Sequence, residues 1–176
     1  MKQVGIIGGA GFIGSYVTRI FLRNGFSVKV SATDPSKSEK YQHLMITSVS
    51  PVLVMGRSLS ERQDSTSGGM QFLFKNKIAP NPFVQMMYDQ DILIAGVDVE
   101  DVAECVYQAA VKKGLHGRNY LLSSETYKVS DIMLMLNGAE PVQAPFIVYR
   151  NELAKKELDV AFRPLNQTLN AYAEQA

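Results

Sequence analysis

Several features that would point to particular classes of protein are scarce in this chain. It has one cysteine, Cys105, which excludes an internal disulfide, and two histidines add too few ligands for a typical zinc cage. Lys and Arg total 18 against 17 Asp and Glu, so no global field attracts nucleic acid or an anionic membrane. No apolar run approaches the ~18 residues that a membrane-spanning helix needs. We therefore expect no metal, small ligands as partners, and a reducing, cytoplasmic location.

The rest of the composition is that of an ordinary globular protein. At 176 residues, 46% of them hydrophobic and 20% charged, the chain is long enough to bury one main core. Its opening predicts a strand at Gln3 to Ile7, a helix at Phe12 to Arg23 and a strand at Ser27 to Thr33. Asp34 then begins a short helix that extends through Leu44. This order of strands and helices predicts the α/β class.

The middle of the chain is less regular. Ile46 to Met55 predicts one strand, interrupted by Pro51, and Gly56 to Pro82 predicts a long loop. Five further elements follow: a strand at Asp91 to Val97, a helix capped by Asp98 and ended by Gly114, a strand at Asn119 to Ser123, a helix at Asp131 to Leu136 capped by Ser130, and a helix at Glu152 to Leu158.

A glycine-rich loop lies between the first strand and the first helix. Gly8 permits a sharp turn after the strand, Gly11 lets backbone amides approach a pyrophosphate, and Gly14 lets the helix pack closely on the strand. The start of the helix presents unpaired N–H groups and a positive dipole end to the phosphates. The spacing and context together predict a dinucleotide site.

An acidic residue and nearby lysines follow at the position where such sites contact the adenosine ribose. Asp34 lies about 20 residues after Gly14 and either binds the ribose 2′-hydroxyl, which favours NAD, or serves as a turn residue before Pro35. Lys37 and Lys40 either attract a 2′-phosphate or are solvated. The sequence leaves NAD and NADP open. The predicted cofactor-binding residues are Gly8, Gly11, Phe12, Ile13, Gly14, Asp34 and Lys40.

These features resemble the extended short-chain dehydrogenase/reductase family, also called the NAD-dependent epimerase/dehydratase family. Four further segments carry the resemblance: Asp34-Pro35 followed by Lys40 to Leu44, Ser50 to Gly56, Val97 to Ala103, and Ala154 to Leu158 with Phe162-Arg163-Pro164. The first of these segments, Asp34-Pro35 followed by Lys40 to Leu44, is similar to the dihydroflavonol-reductase-like branch, which implies reduction of a ketone or aldehyde with NADPH. Thr33 stands where that branch usually has arginine.

The resemblance also exposes a gap in the chain. Between Leu44 and Ser50 the family has its third to fifth strands with their helices, on the order of a hundred residues at ~30 per unit. Here about five residues stand in their place. The family's catalysis needs a tyrosine with a lysine four positions later, and none of the eight tyrosines is followed by that lysine. No catalytic residue is carried over.

We therefore expect a shortened Rossmann-like parallel sheet with helices and remnants of a small C-terminal substrate lobe. Residues 1–55 form the truncated dinucleotide-binding unit, and residues 56–176 supply substrate-region and C-terminal segments packed on the same core. Three functions remain open: an NAD(P)-binding protein related to carbonyl reductases and epimerases, a non-catalytic nucleotide sensor, or a product of an internal deletion. Cys105 is interpreted as a buried structural thiol.

One consequence concerns the edge of the sheet. The family's first strand lies between the second and the fourth, so the missing fourth strand leaves a hydrophobic edge open. Either the strand at Ile46 to Met55 fills the gap, or the open edge drives association into a homodimer or aggregation.

Overall fold

A computed structural model describes residues 2–7, 11–31, 47–59, 65–115 and 118–174. The elements follow one another as β1 (Gln3–Ile7), α1 (Phe12–Arg23), β2 (Ser27–Ser31), β3 (Ser48–Pro51), β4 (Leu53–Met55), α2 (Thr66–Asn76), α3 (Pro82–Asp89), β5 (Leu93–Asp98), α4 (Val99–Val111), β6 (Asn119–Leu122), β7 (Glu125–Lys128), α5 (Val129–Leu136), α6 (Glu152–Leu158) and α7 (Leu165–Ala173). The predicted α/β class is confirmed.

The first three elements form a β-α-β unit close to the one that the sequence predicts. Strands β1 and β2 run parallel, with Gln3 opposite Ser27 and Ile7 opposite Ser31. Helix α1 buries one face into the core, and its buried residues are Phe12, Tyr16, Val17 and Phe21. The helix ends at Asn24-Gly25, where Gly25 takes a φ of +76°, a conformation that glycine adopts without strain.

The segment predicted as one interrupted strand is two strands with different partners. Strand β3 pairs in parallel with β6, whereas β4 pairs in parallel with β5, and β7 adds to β5 in the antiparallel sense. The change of partner occurs after Val52, whose N–H still donates to the carbonyl of Leu122 in β6 at 3.0 Å, and the pairing with β5 begins at Leu53. Among the described residues β1 pairs only with β2, so this segment does not fill the gap beside β1.

The prediction of one long loop from Gly56 to Pro82 is wrong, because α2 lies within it at Thr66–Asn76. Ser65 caps this helix by accepting a hydrogen bond from the N–H of Gly68 at 3.0 Å. Helix α3 follows, and the side chain of Asn81 accepts from the N–H of Val84 at 3.0 Å. The apolar pattern of α2 was hidden because one of its two buried residues is polar, Gln71. Residues 60–64 lie outside the described part of the chain.

The buried apolar side chains fall into two clusters. The first contains residues of α1, α4, β6 and α6, so segments before and after residue 55 share it. The second contains residues of α2, α3, β5, β7, α5 and α7. The predicted boundary between residues 55 and 56 remains a prediction. Within the described ranges, no helix has both the length and the hydropathy to cross a bilayer.

Candidate functional site

The start of α1 is the described part of the predicted dinucleotide site. Gly11 is the N-cap residue, with an extended backbone at φ −77° and ψ 179°, and the helix begins at Phe12. The side chain of Phe12 is buried in the first core cluster, and Ile13 packs against the same cluster. These two residues therefore offer backbone amides to a ligand rather than side chains. Gly8, Asp34 and Lys40 lie outside the described residues.

The first amides of α1 are left without an internal partner. The first hydrogen bond of the helix runs from the N–H of Ser15 to the carbonyl of Gly11 at 2.9 Å. No side chain caps the helix, and its first turn carries no acidic residue. In the described part of the chain, the N–H groups of Phe12, Ile13 and Gly14 thus remain available to an anion, at the positive end of the helix dipole.

The strand register places the ends of β1 and β2 at one edge of the pair. Ile7 is opposite Ser31 in parallel strands, so the chain leaves both strands at the same end. Gly8 follows Ile7 directly and Asp34 is three residues beyond Ser31, a distance of at most about 11 Å along an extended chain. This edge is where parallel α/β sheets bind their ligands.

Helix α1 is tied to the residues that follow β4. The hydroxyl of Tyr16 donates to the carbonyl of Arg57 at 2.5 Å. The Arg19 guanidinium lies 4.5 Å from the centre of the Tyr16 ring and donates to Glu100 at 2.7 Å. Burial, followed by the charge of Glu100, raises the pKa of Tyr16. These contacts fix the orientation of the helix whose start forms the site.

A second polar cluster lies at the start of α4. The Arg163 side chain donates to Asp98 at 3.0 Å and to Glu100 at 2.7 Å, and its backbone N–H donates to Asp101 at 2.7 Å. Thr168 adds a hydrogen bond to Asp98 at 2.8 Å. Burial raises the pKa of Asp101 to about 6, although the hydrogen bond and charge of Arg163 oppose the rise.

This cluster joins two segments that the family resemblance had already singled out, Val97 to Ala103 and Phe162-Arg163-Pro164. Sequence reasoning predicted the Asp98 cap, which is confirmed by a hydrogen bond from the N–H of Glu100 at 2.6 Å. It missed the partnership with Arg163, which is separated from Asp98 by 65 positions. In the sequence, the pairing was indicated only by a single arginine, Arg163, between the apolar residues Phe162 and Pro164.

A buried glutamine holds the chain where it leaves β4. Gln71 is fully buried, and its side chain accepts from the N–H of Gly56 at 2.8 Å and donates to the Gly56 carbonyl at 3.2 Å. Gly56 has a φ of +125°, and a Cβ there would lie 3.1 Å from Val99. Only glycine therefore fits this turn, which leads from the strand to Arg57.

Five tyrosines have a raised pKa, which is the opposite of the acidity that carbonyl reduction requires. Burial raises the pKa of Tyr16, Tyr88 and Tyr172, and it raises the pKa of Tyr120 and Tyr127 to about 12. The hydroxyl of Tyr120 donates to Glu157 at 2.6 Å, a carboxylate that opposes its ionisation further. Such hydroxyls are poorer proton donors than a free tyrosine.

The described residues also line a polar groove and an apolar groove, and they bury one thiol. A polar groove of about 420 Å³ lies between α1 and α4 and includes Arg19 and Arg163, and an apolar one of about 450 Å³ includes Tyr88 and Met133.

Cys105 is confirmed as a buried thiol, and burial raises its pKa to about 12. The described residues contain no group of three or more side chains suited to a metal ion.

Comparison with known proteins identifies the fold. No protein-family model and no curated protein matches the sequence. Among solved structures, the chain is similar to yeast methylglyoxal/isovaleraldehyde reductase Gre2 complexed with NADPH, with a TM-score of 0.68 and 15% identity, over 99% of this chain and 98% of that one. Gre2 from Candida albicans, in complex with NADPH, gives a TM-score of 0.72 and 11% identity over 99% and 98%.

A sugar-nucleotide enzyme is equally similar. UDP-glucose-4-epimerase from Stenotrophomonas maltophila, with bound NAD and formylated UDP-arabinopyranose, matches with a TM-score of 0.69 and 11% identity, over 99% of this chain and 97% of that one. At these identities the likeness establishes the fold. The described chain has the Rossmann-like α/β fold that these reductases and epimerases share.

Proposed function

We propose that this chain is an NAD(P)-binding protein related to the NAD(P)H-dependent carbonyl reductases and epimerases of the extended short-chain dehydrogenase/reductase family. In this proposal the N–H groups at the start of α1 hold the pyrophosphate of the cofactor. The observation that carries it is the helix start, where Gly11 stands as N-cap, no side chain of the described residues caps the helix, and the first turn has no acidic residue. An anion is the group that such a helix start favours.

The strand register supports the same assignment. The last residues of β1 and β2, Ile7 and Ser31, are opposite each other at one edge, Gly8 and Asp34 follow them in the sequence, and the similar solved structures hold NADPH or NAD. Asp34 would then bind the adenosine ribose, while Lys40 would meet a 2′-phosphate if the cofactor is NADP. Bound NAD(P)H supplies a hydride in the related enzymes.

We further propose that the chain binds the cofactor without reducing a carbonyl substrate. The tyrosine and lysine of the family have no counterpart in the sequence, and burial raises the pKa of five described tyrosines, which opposes their use as proton donors. The short spacing between Leu44 and Ser50 is then an internal deletion from a dihydroflavonol-reductase-like parent. A cytoplasmic location, with a dinucleotide as the main partner, completes this proposal.

A turnover assay combined with a binding assay tests both parts. The fluorescence of NADH and of NADPH is titrated with the chain, and loss of absorbance is then followed with methylglyoxal and isovaleraldehyde, substrates of the similar yeast reductase. We expect saturable binding of one cofactor and no loss of absorbance. Turnover above the rate without protein would contradict the non-catalytic part, and absence of binding by a folded chain would favour a deletion product over a binder or sensor.

Two variants make the binding assay specific. Gly11→Asp places a carboxylate where the phosphates are expected, and the φ of −77° at Gly11 tolerates a side chain. Asp is also a good N-cap residue, so the helix should be retained. Gly69→Asp is the matched control, because a Cβ there meets nothing within 4 Å and the site is in α2. Only Gly11→Asp should weaken binding.

A further inference from the structure

Residues 142–150, which we call the exposed segment, present apolar side chains to solvent. All of these residues are exposed. Val142 is 82% exposed, Ile147 90% and Val148 52%, while Phe146 and Tyr149 are 39% and 46% exposed. A single exposed apolar residue is normal, but a concentration of this kind marks an interaction surface.

The exposed segment is held in place rather than frayed. The N–H of Val142 donates to the buried carboxylate of Asp131 at 2.7 Å. Phe146 exchanges two backbone hydrogen bonds with Thr126 of β7, at 2.8 and 3.2 Å. At the far end, the side chain of Asn151 donates to the carbonyl of Ser123 at 2.5 Å. The backbone is therefore ordered by three attachments while the apolar side chains remain outside.

The bridge at Phe146 makes the exposed segment the outer edge of the β4-β5-β7 sheet. Because both backbone groups of Phe146 point to β7, those of the next residue in an extended chain point away from the sheet. The backbone of Ile147 has no hydrogen-bond partner among the described residues. It is therefore free to pair with another strand.

Charge and area favour a second copy of this chain as the occupant. Residues 142–149 contain no charged side chain, the one charge of the exposed segment lies at its end on Arg150, and the formal net charge of the chain is +1, so repulsion between two copies is small. A large side chain has about 150–250 Å² of surface. With their exposed fractions, the five apolar side chains therefore present roughly 500 Å² to solvent. A standard interface buries about 800 Å² per partner. In this interface the polar residues around the apolar side chains would supply the area beyond the roughly 500 Å² that is apolar.

We propose that the exposed segment of one protomer pairs with the same segment of its partner across a two-fold axis. Two edge strands related by such an axis run antiparallel, so the free backbone groups of each can bond to the other. The interface is self-complementary, and Ile147 lies near its centre. We expect association of micromolar strength, because the apolar part of the interface is smaller than the area that a standard interface buries.

Sedimentation velocity over a range of protein concentrations tests this proposal. Wild type should pass from monomer to dimer with a dissociation constant on the order of 1–10 µM. Ile147→Lys places like charges next to each other at the interface and should raise that constant at least about tenfold. Because Ile147 is 90% exposed, the change removes no packing inside the monomer.

Two matched variants identify the surface. Leu22→Lys changes a residue that is 55% exposed on α1, and Gly5→Lys adds a charge at an exposed residue of β1, a strand that pairs only with β2 among the described residues. Both should dimerise like wild type. A wild type that stays monomeric, a dimer unaffected by Ile147→Lys, or a dimer lost in Gly5→Lys would each overturn the proposal.

A crosslinking experiment guards against a folding defect in the lysine variant. Cys105 is the only cysteine and is fully buried, so Ile147→Cys creates a single surface thiol. Mild oxidation should convert the Ile147→Cys chain to a covalent dimer at concentrations above the dissociation constant. Leu22→Cys should crosslink at least about tenfold more slowly. Equal rates for the two variants would contradict a symmetric interface at Ile147.

Discussion

Replacing Asp101 with asparagine should change how the stability of the fold depends on pH. Burial raises the pKa of Asp101 from 3.8 to about 6, so the native chain holds this proton more tightly than the unfolded chain does. The free energy of unfolding contributed by Asp101 therefore falls as the pH rises from 3.8 to about 6. Below and above that window the contribution is constant.

The size of the effect follows from the shift in pKa. A difference of about two pKa units corresponds to about 3 kcal/mol. Asparagine does not ionise, yet its Oδ1 can still accept from the N–H of Arg163. We therefore expect the stability of Asp101→Asn relative to wild type to increase by about 3 kcal/mol between about pH 4 and pH 7.5.

Urea unfolding followed by circular dichroism at both pH values measures this difference. Glu100→Gln is a control of opposite sign. Burial raises the pKa of Glu100, but hydrogen bonds and charges from Arg19 and Arg163 outweigh it and lower the pKa. The stability that Glu100 contributes is present above its pKa in the unfolded chain and is lost as the pH falls. The loss of unfolding free energy in Glu100→Gln, relative to wild type, should therefore grow with pH. An Asp101→Asn difference that is equal at both pH values would refute the reasoning.

Three further predictions concern single side chains. Gln71→Leu leaves the buried N–H and carbonyl of Gly56 without partners and should cost about 2–4 kcal/mol in urea unfolding; a loss below about 1 kcal/mol would contradict this role. Gly69→Ala, in open space within α2, should raise stability by about 0.5–1 kcal/mol, and a lower melting temperature would argue against it. Burial raises the pKa of Cys105 to about 12, so a thiol reagent near neutral pH should label the native chain at least about a thousandfold more slowly than the chain in urea; equal rates would be inconsistent with burial.

The sequence predicted the elements whose local signals agree with their tertiary environment. The bounds of β1, α1 and α6 coincide with the predicted ones, because each has an apolar run or stripe bounded by clear start or stop residues. The Asp98 cap was equally visible, since its carboxylate acts on its own helix. These are short-range effects that one segment can reveal.

Long-range partners explain the errors. The predicted Ser130 cap of α5 is wrong, because the helix begins at Val129 and the carboxylate of Asp91 binds the N–H and hydroxyl of Ser130 at 2.8 and 2.9 Å. Helix α2 was missed because a buried Gln71 satisfies Gly56 from 15 positions away. Such pairings depend on the assembled fold and leave no periodic trace in the sequence.

In the candidate site, too, the sequence revealed the features that depend on neighbouring residues and missed those that depend on distant ones. The glycine motif and its following helix were predicted from local spacing, and the structure describes Gly11 to Gly14 at a helix start with free amides. Arg163 was not assigned to the cluster at Asp98 and Asp101, because its partners come from another helix. The roles of Gly8, Asp34 and Lys40 remain predictions.

Calorimetric titration with NADH and NADPH tests the central claim most directly. Wild type, Gly11→Asp and Gly69→Asp are compared at the same protein concentration. We predict saturable heat for wild type and Gly69→Asp with one preferred cofactor, and a loss of affinity of at least about tenfold in Gly11→Asp, from the carboxylate at the pyrophosphate site. Absence of heat with folded wild type, or binding that Gly11→Asp leaves unchanged, would contradict a dinucleotide site at the start of α1.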